Sequence, residues 1–207
     1  MAGLDLCGIS VMVAEDNAFS RQIMRTTLRA LALTDVREAR DGVEALEITH
    51  QRPPDLVFID WDLPHLDGVE FTRMVRTAAD SPNPYLPVIM ISAHATPFHV
   101  RAARDAGVNE YLVKPYSAAG LFSRVRAVIE RPRLYVRTKT YFGPDRRRKE
   151  DPAYRAPNRR GNGLDPRAPT ESLETERVPP DLIDRALIAA DIGGGGDDVR
   201  AALPGLK

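Results

Sequence analysis

Short apolar runs alternate with longer amphipathic stretches along the first 130 residues of the chain. Five runs have the length and the Val/Ile content of buried strands. They are residues 9–14, 36–39, 56–59, 88–91 and 111–113. Residues 36–39 are the weaker candidate, because they include Arg37 and Glu38. Short, mainly apolar runs like the others are typical of strands that are covered on both faces of a parallel sheet.

The stretches between these runs repeat their apolar residues at helical spacing. In residues 19–32, for example, Phe19, Ile23, Met24 and Leu28 fall on one side of a helix. The other predicted helices are residues 43–50, 69–79, 97–106 and 117–130. Strands that alternate with helices predict an α/β fold, here a five-stranded, doubly wound parallel sheet of the flavodoxin-like type.

Polar side chains stand where the predicted strands end. Glu15 and Asp16 follow the first strand, Asp60 follows the third, Ser92 ends the fourth and Lys114 ends the fifth. In parallel sheets the carboxyl ends of the strands form the ligand-binding edge, so we expect these five residues to converge there. Three carboxylates favour a hard divalent cation such as Mg²⁺, and a lysine beside a hydroxyl suits a phosphoryl group.

The same residues carry a resemblance to a known family. The motifs VAEDN (13–17), LVFIDWDLPHLDG (56–68), VIMISAH (88–94) and YLVKP (111–115) resemble the receiver domains of response regulators, which have the CheY-like fold. The resemblance implies that Asp60 accepts a phosphoryl group from a phosphohistidine on a histidine kinase or a histidine phosphotransfer protein. It also implies no enzymatic output beyond Mg²⁺-dependent self-phosphorylation from phosphodonors and autodephosphorylation.

The resemblance assigns roles to the remaining site residues. It implies that Glu15, Asp16, Asp60 and the backbone carbonyl of Asp62 hold Mg²⁺. Ser92 would bond the phosphoryl oxygens and Lys114 would pair with them. Tyr111 takes the place of the switch aromatic, although it could simply pack at the end of its strand. Asp62 and His94 flank the route of the attacking water in this family.

Charge divides the chain into three parts. Residues 1–130 carry 13 Lys and Arg against 17 Asp and Glu, residues 131–164 carry 11 against 3, and residues 165–207 carry 5 against 9. We therefore predict a receiver domain at 1–131, a largely irregular basic extension rich in arginine and proline at 132–165, and an acidic tail at 166–207. Apolar residues at helical spacing after Pro179-Pro180 predict one short helix in the tail, around residues 180–192.

The basic extension contains a short repeat. YFGPDRRR at 141–148 is echoed by YRAPNRR at 154–160. Arginine can fork onto phosphate or guanine, and tyrosine offers a stacking surface. The segment is similar to the arginine-rich extensions of CheY-like cyclic-di-GMP effectors, some of which act at the flagellar motor. This similarity implies a guanine dinucleotide bound by Tyr141, Arg146, Arg147, Arg148, Tyr154, Arg159 and Arg160.

Several alternatives remain open for the protein as a whole. The basic extension could be a solvated linker, a nucleic-acid contact or a contact with an anionic membrane surface, and the protein could be an intermediate phosphocarrier. The single cysteine, Cys7, excludes a disulfide framework and a cysteine zinc site. We find neither a membrane-spanning apolar run nor a secretory signal, and so expect a cytoplasmic protein.

Overall fold

The first five strands and five helices of the structure alternate as the hydrophobic pattern predicts. The computed structural model describes Leu6, residues 8–146 and the backbone of residues 174–176. The strands are β1 (Ser10–Ala14), β2 (Asp35–Ala39), β3 (Leu56–Asp60), β4 (Val88–Ser92) and β5 (Glu110–Val113). The helices are α1 (Ala18–Ala30), α2 (Gly42–Gln51), α3 (Gly68–Thr77), α4 (Pro97–Ala106) and α5 (Ala118–Glu130).

The five strands form one parallel sheet in the order β2-β1-β3-β4-β5. Successive residues of a strand point to opposite faces, so each central strand contributes to two apolar clusters. Val57 and Ile59 of β3 belong to one cluster, and Phe58 between them belongs to the other. The predicted doubly wound sheet is confirmed, with both of its faces covered.

Local capping residues set the helix starts. Asn17, Asp41, Asp67, Thr96 and Ser117 accept backbone N–H bonds as N-caps. The loops that follow the strands are thereby held close to the sheet edge. No helix in the described part of the chain is long and apolar enough to cross a membrane.

Residues 135–144 differ from the irregular chain that we predicted there. They form an antiparallel hairpin of β6 (Tyr135–Thr138) and β7 (Tyr141–Pro144), and β6 also pairs with β8 (Glu174–Glu176). Proline content suggested irregular chain, but Pro144 ends an edge strand, where its missing N–H costs no ladder bond. Tyr135 and Phe142 are buried, which gives the hairpin an apolar side.

The structure does not test the remaining predictions for the extension and the tail. The helix expected around residues 180–192 lies outside the described residues. The domain division at residue 131 stays a prediction. We refer to residues 135–144 below as the hairpin.

Candidate functional site

The carboxyl ends of β1, β3, β4 and β5 meet at one edge of the sheet. Glu15, Asp60 and Ser92 are buried there, whereas Asp16 is exposed at the surface of the cleft. Lys114 extends to the same place from the end of β5. The structure therefore brings together the five side chains that the sequence placed at strand ends.

Three carboxylates form the acidic part of the site. Glu15, Asp16 and Asp60 each offer one oxygen, and these three oxygens lie within 4.8 Å of one another. Burial raises the pKa of Glu15, and the charge of Asp60 raises it further, whereas the bond to Lys114 opposes the shift. Oxygen donors at this spacing, beside like charges that repel, fit a hard divalent cation such as Mg²⁺.

Lys114 supplies the positive charge that the carboxylates face. Its Nζ donates a hydrogen bond to Glu15 Oε2 at 2.7 Å and another to Asp60 Oδ2. Burial alone would lower the pKa of Lys114, but the bonds to Asp60 and Glu15 outweigh it, so the pKa is raised. The side chain is therefore a permanent cation at neutral pH, placed beside the Asp60 oxygen.

Ser92 and Tyr111 meet at the loop that follows β4. Ser92 Oγ accepts a bond from the His94 backbone N–H at 3.0 Å. The Tyr111 hydroxyl donates to the His94 carbonyl at 2.7 Å, and burial raises the pKa of this hydroxyl. The loop is thus bonded to both residues that the sequence assigned to a switch, although those roles stay predictions.

Asp62 and His94 link the loops that follow β3 and β4. The Asp62 backbone N–H donates to Asp60 Oδ1 at 3.2 Å, and the Asp62 carboxylate lies 3.1 Å from His94 Nε2. The His94 ring stacks on His99 with centroids 4.2 Å apart, and Trp61 meets the His99 ring edge-on at 5.0 Å. The loops after β3 and β4 are therefore linked to each other next to Asp60.

Sequence reasoning missed two residues that hold this site in place. Arg21 Nη1 donates to the Glu15 carbonyl at 2.7 Å, while its Nε donates to Glu38. Arg21 and Glu15 are six residues apart and lie on either side of the start of α1, a separation that gives no signal in the sequence for this contact. His99 comes from α4, and its stacking on His94 leaves no signal in the sequence.

Only two of the seven residues predicted to bind a guanine dinucleotide lie within the described part of the chain. The Arg146 guanidinium stacks 4.0 Å from the Tyr141 ring centroid, and Arg146 Nη1 also pairs with Asp105 at 3.2 Å. The Tyr141 hydroxyl donates to the Pro144 carbonyl at 2.7 Å. The other five lie outside the described residues, namely Arg147, Arg148, Tyr154, Arg159 and Arg160.

Comparison with protein families identifies a match to this architecture. The family model of the response regulator receiver domain matches residues 11–126. Among curated proteins, chemotaxis protein CheY of Pseudomonas aeruginosa is 35% identical over 123 residues, which cover 59% of this chain and 98% of that protein. Chemotaxis protein CheY-3 of Vibrio cholerae is 34% identical over 123 residues, covering 59% of this chain and 93% of that protein.

Solved structures give the same result. The receiver domain of a sensor histidine kinase from Pseudomonas aeruginosa, solved with a magnesium ion in its active-site cleft, has a TM-score of 0.52 at 28% identity. That match covers 58% of this chain and 96% of the other. The receiver domain of a Francisella response regulator has a TM-score of 0.54 at 31% identity, covering 60% of this chain and 98% of the other.

Proposed function

Because the chain belongs to the response regulator receiver domain family, we propose that it is phosphorylated on Asp60 and signals by protein contact. The phosphoryl donor is a histidine kinase or a histidine phosphotransfer protein in the cytoplasm, and no catalytic output is involved. The observation that carries the proposal is the Asp60 carboxylate itself. It ends β3, is buried, bonds the Lys114 ammonium, and has one oxygen within 4.8 Å of oxygens of two further carboxylates.

Phosphoryl transfer follows from this arrangement. An Asp60 carboxylate oxygen attacks the phosphorus of a phosphohistidine. The new P–O bond forms as the N–P bond breaks, and the histidine nitrogen keeps the electron pair and takes up a proton. Glu15, Asp16, Asp60 and the Asp62 carbonyl would hold Mg²⁺, which neutralises charge on the phosphoryl oxygens.

Ser92 and Lys114 then respond to the new charge. A phosphoryl group on Asp60 carries nearly two negative charges and three acceptor oxygens, and both side chains can donate to them. In the structure, Ser92 Oγ accepts a hydrogen bond from the His94 backbone N–H. This bond breaks when Ser92 Oγ turns toward the phosphoryl group. The loop after β4 is released on one side, and Tyr111 can follow it inward.

The test is direct phosphorylation of the full chain. We expect acetyl phosphate with Mg²⁺ to raise the intact mass by one phosphoryl group, with the modification mapped to the peptide that contains Asp60. Chelation of Mg²⁺ with EDTA should prevent the increase. A protein that gains no mass under these conditions, or gains it on a different peptide, would overturn the proposal.

Replacing Lys114 by methionine should slow phosphorylation of Asp60 by a factor of about 10²–10³, the usual effect of removing one charge-stabilising donor. The raised pKa of Lys114 also predicts how stability depends on pH. The stabilisation from this ammonium should be fully present below 10.5, the ordinary pKa of lysine, and lost as pH rises through the higher folded value.

Thermal unfolding from pH 7 to pH 11 measures that dependence. The difference between wild type and Lys114→Met should stay constant to about pH 10 and shrink above it. Arg73→Met on α3 is the control for the loss of one positive charge, because Arg73 is exposed and belongs neither to the site nor to the hairpin. If Arg73→Met slowed phosphorylation as much as Lys114→Met, charge in general rather than its position would be responsible.

We propose that the arginine-rich extension binds cyclic-di-GMP as a second input, and that the protein acts at the flagellar motor. The stacking of Arg146 on Tyr141 supports it, because the first half of the repeat already pairs an arginine with an aromatic ring. We expect calorimetric titration of the full chain to give micromolar or tighter binding. Arg147→Ala should weaken this binding, whereas Arg126→Ala on α5 should not.

The outcomes of that titration separate the alternatives. Binding that falls steeply with salt and does not distinguish bases would indicate nucleic-acid contact. If the titration shows no binding heat, the extension is best described as a linker. A separate phosphotransfer assay tests the remaining alternative. A phosphoryl group that moves reversibly to a histidine phosphotransfer protein would favour an intermediate phosphocarrier.

A further inference from the structure

Three elements run from the phosphorylation site to the hairpin. Helix α3 begins at Gly68, where an added Cβ would lie 2.3 Å from the Asp60 carbonyl oxygen. Helix α4 begins beyond the loop bonded to Ser92, and β5 leads to Lys114. The far ends of these three elements meet at the amino ends of β4 and β5. Each ten-residue helix spans about 15 Å between the two places.

The hairpin is fastened at those far ends through Tyr135. The Tyr135 hydroxyl donates to the Tyr85 carbonyl at 2.8 Å and accepts from Asn109 Nδ2 at 3.2 Å. Phe142 packs edge-on against the Tyr85 ring, with centroids 5.3 Å apart. Tyr85 precedes β4 and Asn109 precedes β5, so the hairpin touches the starts of both strands.

Arg76 of α3 is buried in the same contact. Its guanidinium donates to the carbonyls of Gly107 and Pro84 and to Asn109 Oδ1, at 3.1, 2.9 and 3.0 Å. The Tyr135 ring lies 5.3 Å from the guanidinium carbon. Arg76 of α3 therefore bonds both Gly107, the C-cap of α4, and Asn109, which directly precedes β5. These bonds lie next to the Tyr135 ring of the hairpin.

The hairpin and the end of α4 are packed too closely to slide. An added Cβ on Gly143 would lie 2.9 Å from Gly107 Cα, and one on Gly107 would lie 3.1 Å from the Phe142 carbonyl oxygen. Closely packed surfaces of this kind cannot deform continuously. They either keep their relative position or change to a different discrete arrangement. A displacement of the α4 end would break the contact instead of stretching it.

The other end of α4 is tied to the residues that respond to a phosphoryl group. The loop after β4 is bonded by Ser92 Oγ at the His94 N–H and by the Tyr111 hydroxyl at the His94 carbonyl. His94 stacks on His99 of α4, and Thr96, the N-cap of α4, bonds His99 Nδ1 at 2.7 Å. Moving Ser92 toward a phosphoryl group therefore disturbs the start of α4.

We infer that the hairpin and the phosphorylation site are negatively coupled through α3, α4 and β5. The hairpin docks on the receiver without a phosphoryl group, and a phosphoryl group on Asp60 weakens that docking. This inference rests on the proposed function of Asp60. Coupling between two sites is reciprocal, so whatever lifts the hairpin away strengthens the binding of phosphoryl-type groups at Asp60. The C-terminal extension then acts on the receiver through the hairpin.

Hydrogen exchange tests the coupling in the full chain. Beryllofluoride with Mg²⁺ serves as a stable, non-covalent stand-in for the phosphoryl group. We expect it to speed amide exchange in the peptides that cover residues 135–144 and 103–109. Beryllofluoride and Mg²⁺ should leave amide exchange in these peptides unchanged in the Asp60→Asn variant. Unchanged exchange in the hairpin of a wild-type protein that binds beryllofluoride would overturn the coupling while leaving phosphorylation intact.

The reciprocal effect gives a second, independent measurement. Tyr135→Phe removes the bonds to the Tyr85 carbonyl and to Asn109 Nδ2 but keeps the ring, so it loosens the hairpin without emptying the core. Calorimetry should show beryllofluoride binding tightened by at least about five-fold, the lower end of ordinary coupling. Leu134→Ala, an exposed residue next to the hairpin, is the control and should bind as wild type does.

The two proposals fail in different ways. Equal affinities of wild type and Tyr135→Phe, with beryllofluoride bound by both, would refute the coupling alone. No binding of beryllofluoride by any variant, together with no mass gain from acetyl phosphate, would refute phosphorylation of Asp60 and the coupling with it.

Discussion

Replacing Asp60 by asparagine is expected to abolish phosphorylation by acetyl phosphate. An amide oxygen at this position is not a nucleophile for phosphorus, and the substitution also removes one of the three carboxylates of the acidic cluster. Asp60 is the buried carboxylate at the end of β3, and it shares the Lys114 ammonium with Glu15. After incubation with acetyl phosphate and Mg²⁺, the phosphorylated fraction seen by intact-mass measurement should be less than about one hundredth of that of wild type. This corresponds to a phosphorylation rate at least about 100-fold lower.

Asp80→Asn is the matched control for this substitution. It makes the same chemical change at an exposed aspartate in the loop after α3, far from the strand ends that form the site. We expect Asp80→Asn to gain mass as wild type does. If Asp60→Asn still accepted one phosphoryl group, a neighbouring carboxylate such as Asp16 or Asp62 would be the acceptor, and Asp60 would keep only a role in binding Mg²⁺.

The site was predictable because its residues are set by strand ends. A parallel sheet brings the carboxyl ends of its strands together, so the position of each polar residue along the chain was enough to place it. Asp60 and Lys114 are 54 residues apart in sequence, yet their side chains are hydrogen-bonded. The strand ends placed these residues, and the strand ends follow from the apolar runs.

The contacts above Asp60 were not predictable in the same way. The stack of His94 on His99 and the pairing of His94 with Asp62 depend on how two loops and the start of α4 approach one another. Such approaches are decided by packing and not by periodicity. The sequence contains the residues, but neither their spacing nor their type indicates that they meet.

The hairpin escaped prediction for a related reason. Its strands have four residues each, and Arg137, Gly143 and Pro144 within them lower the strand signal. What stabilises it is tertiary: Tyr135 and Phe142 bury their rings against Tyr85. A two-stranded hairpin is marginal by itself, and this one is held by the surface on which it lies.

Replacing Arg76 by methionine is expected to lower the free energy of unfolding by about 3 kcal/mol. Arg76 is buried, and its burial lowers the pKa of the guanidinium because no carboxylate faces it among the described residues. Methionine fills a similar volume but donates no hydrogen bond. The carbonyls of Gly107 and Pro84 then stay buried without this donor, and each such loss costs about 1–3 kcal/mol.

Relief from burying a cation offsets part of this cost, since an apolar side chain of equal size needs no solvation. The carbonyl partners remain, however, so the offset is incomplete. Arg73→Met is the matched control, because Arg73 lies on the same helix and is exposed. Urea unfolding should separate the two variants: Arg73→Met should unfold within about 0.5 kcal/mol of wild type. Equal stabilities of Arg76→Met and wild type would mean that the buried guanidinium contributes nothing beyond its volume, and that the hairpin is held without it.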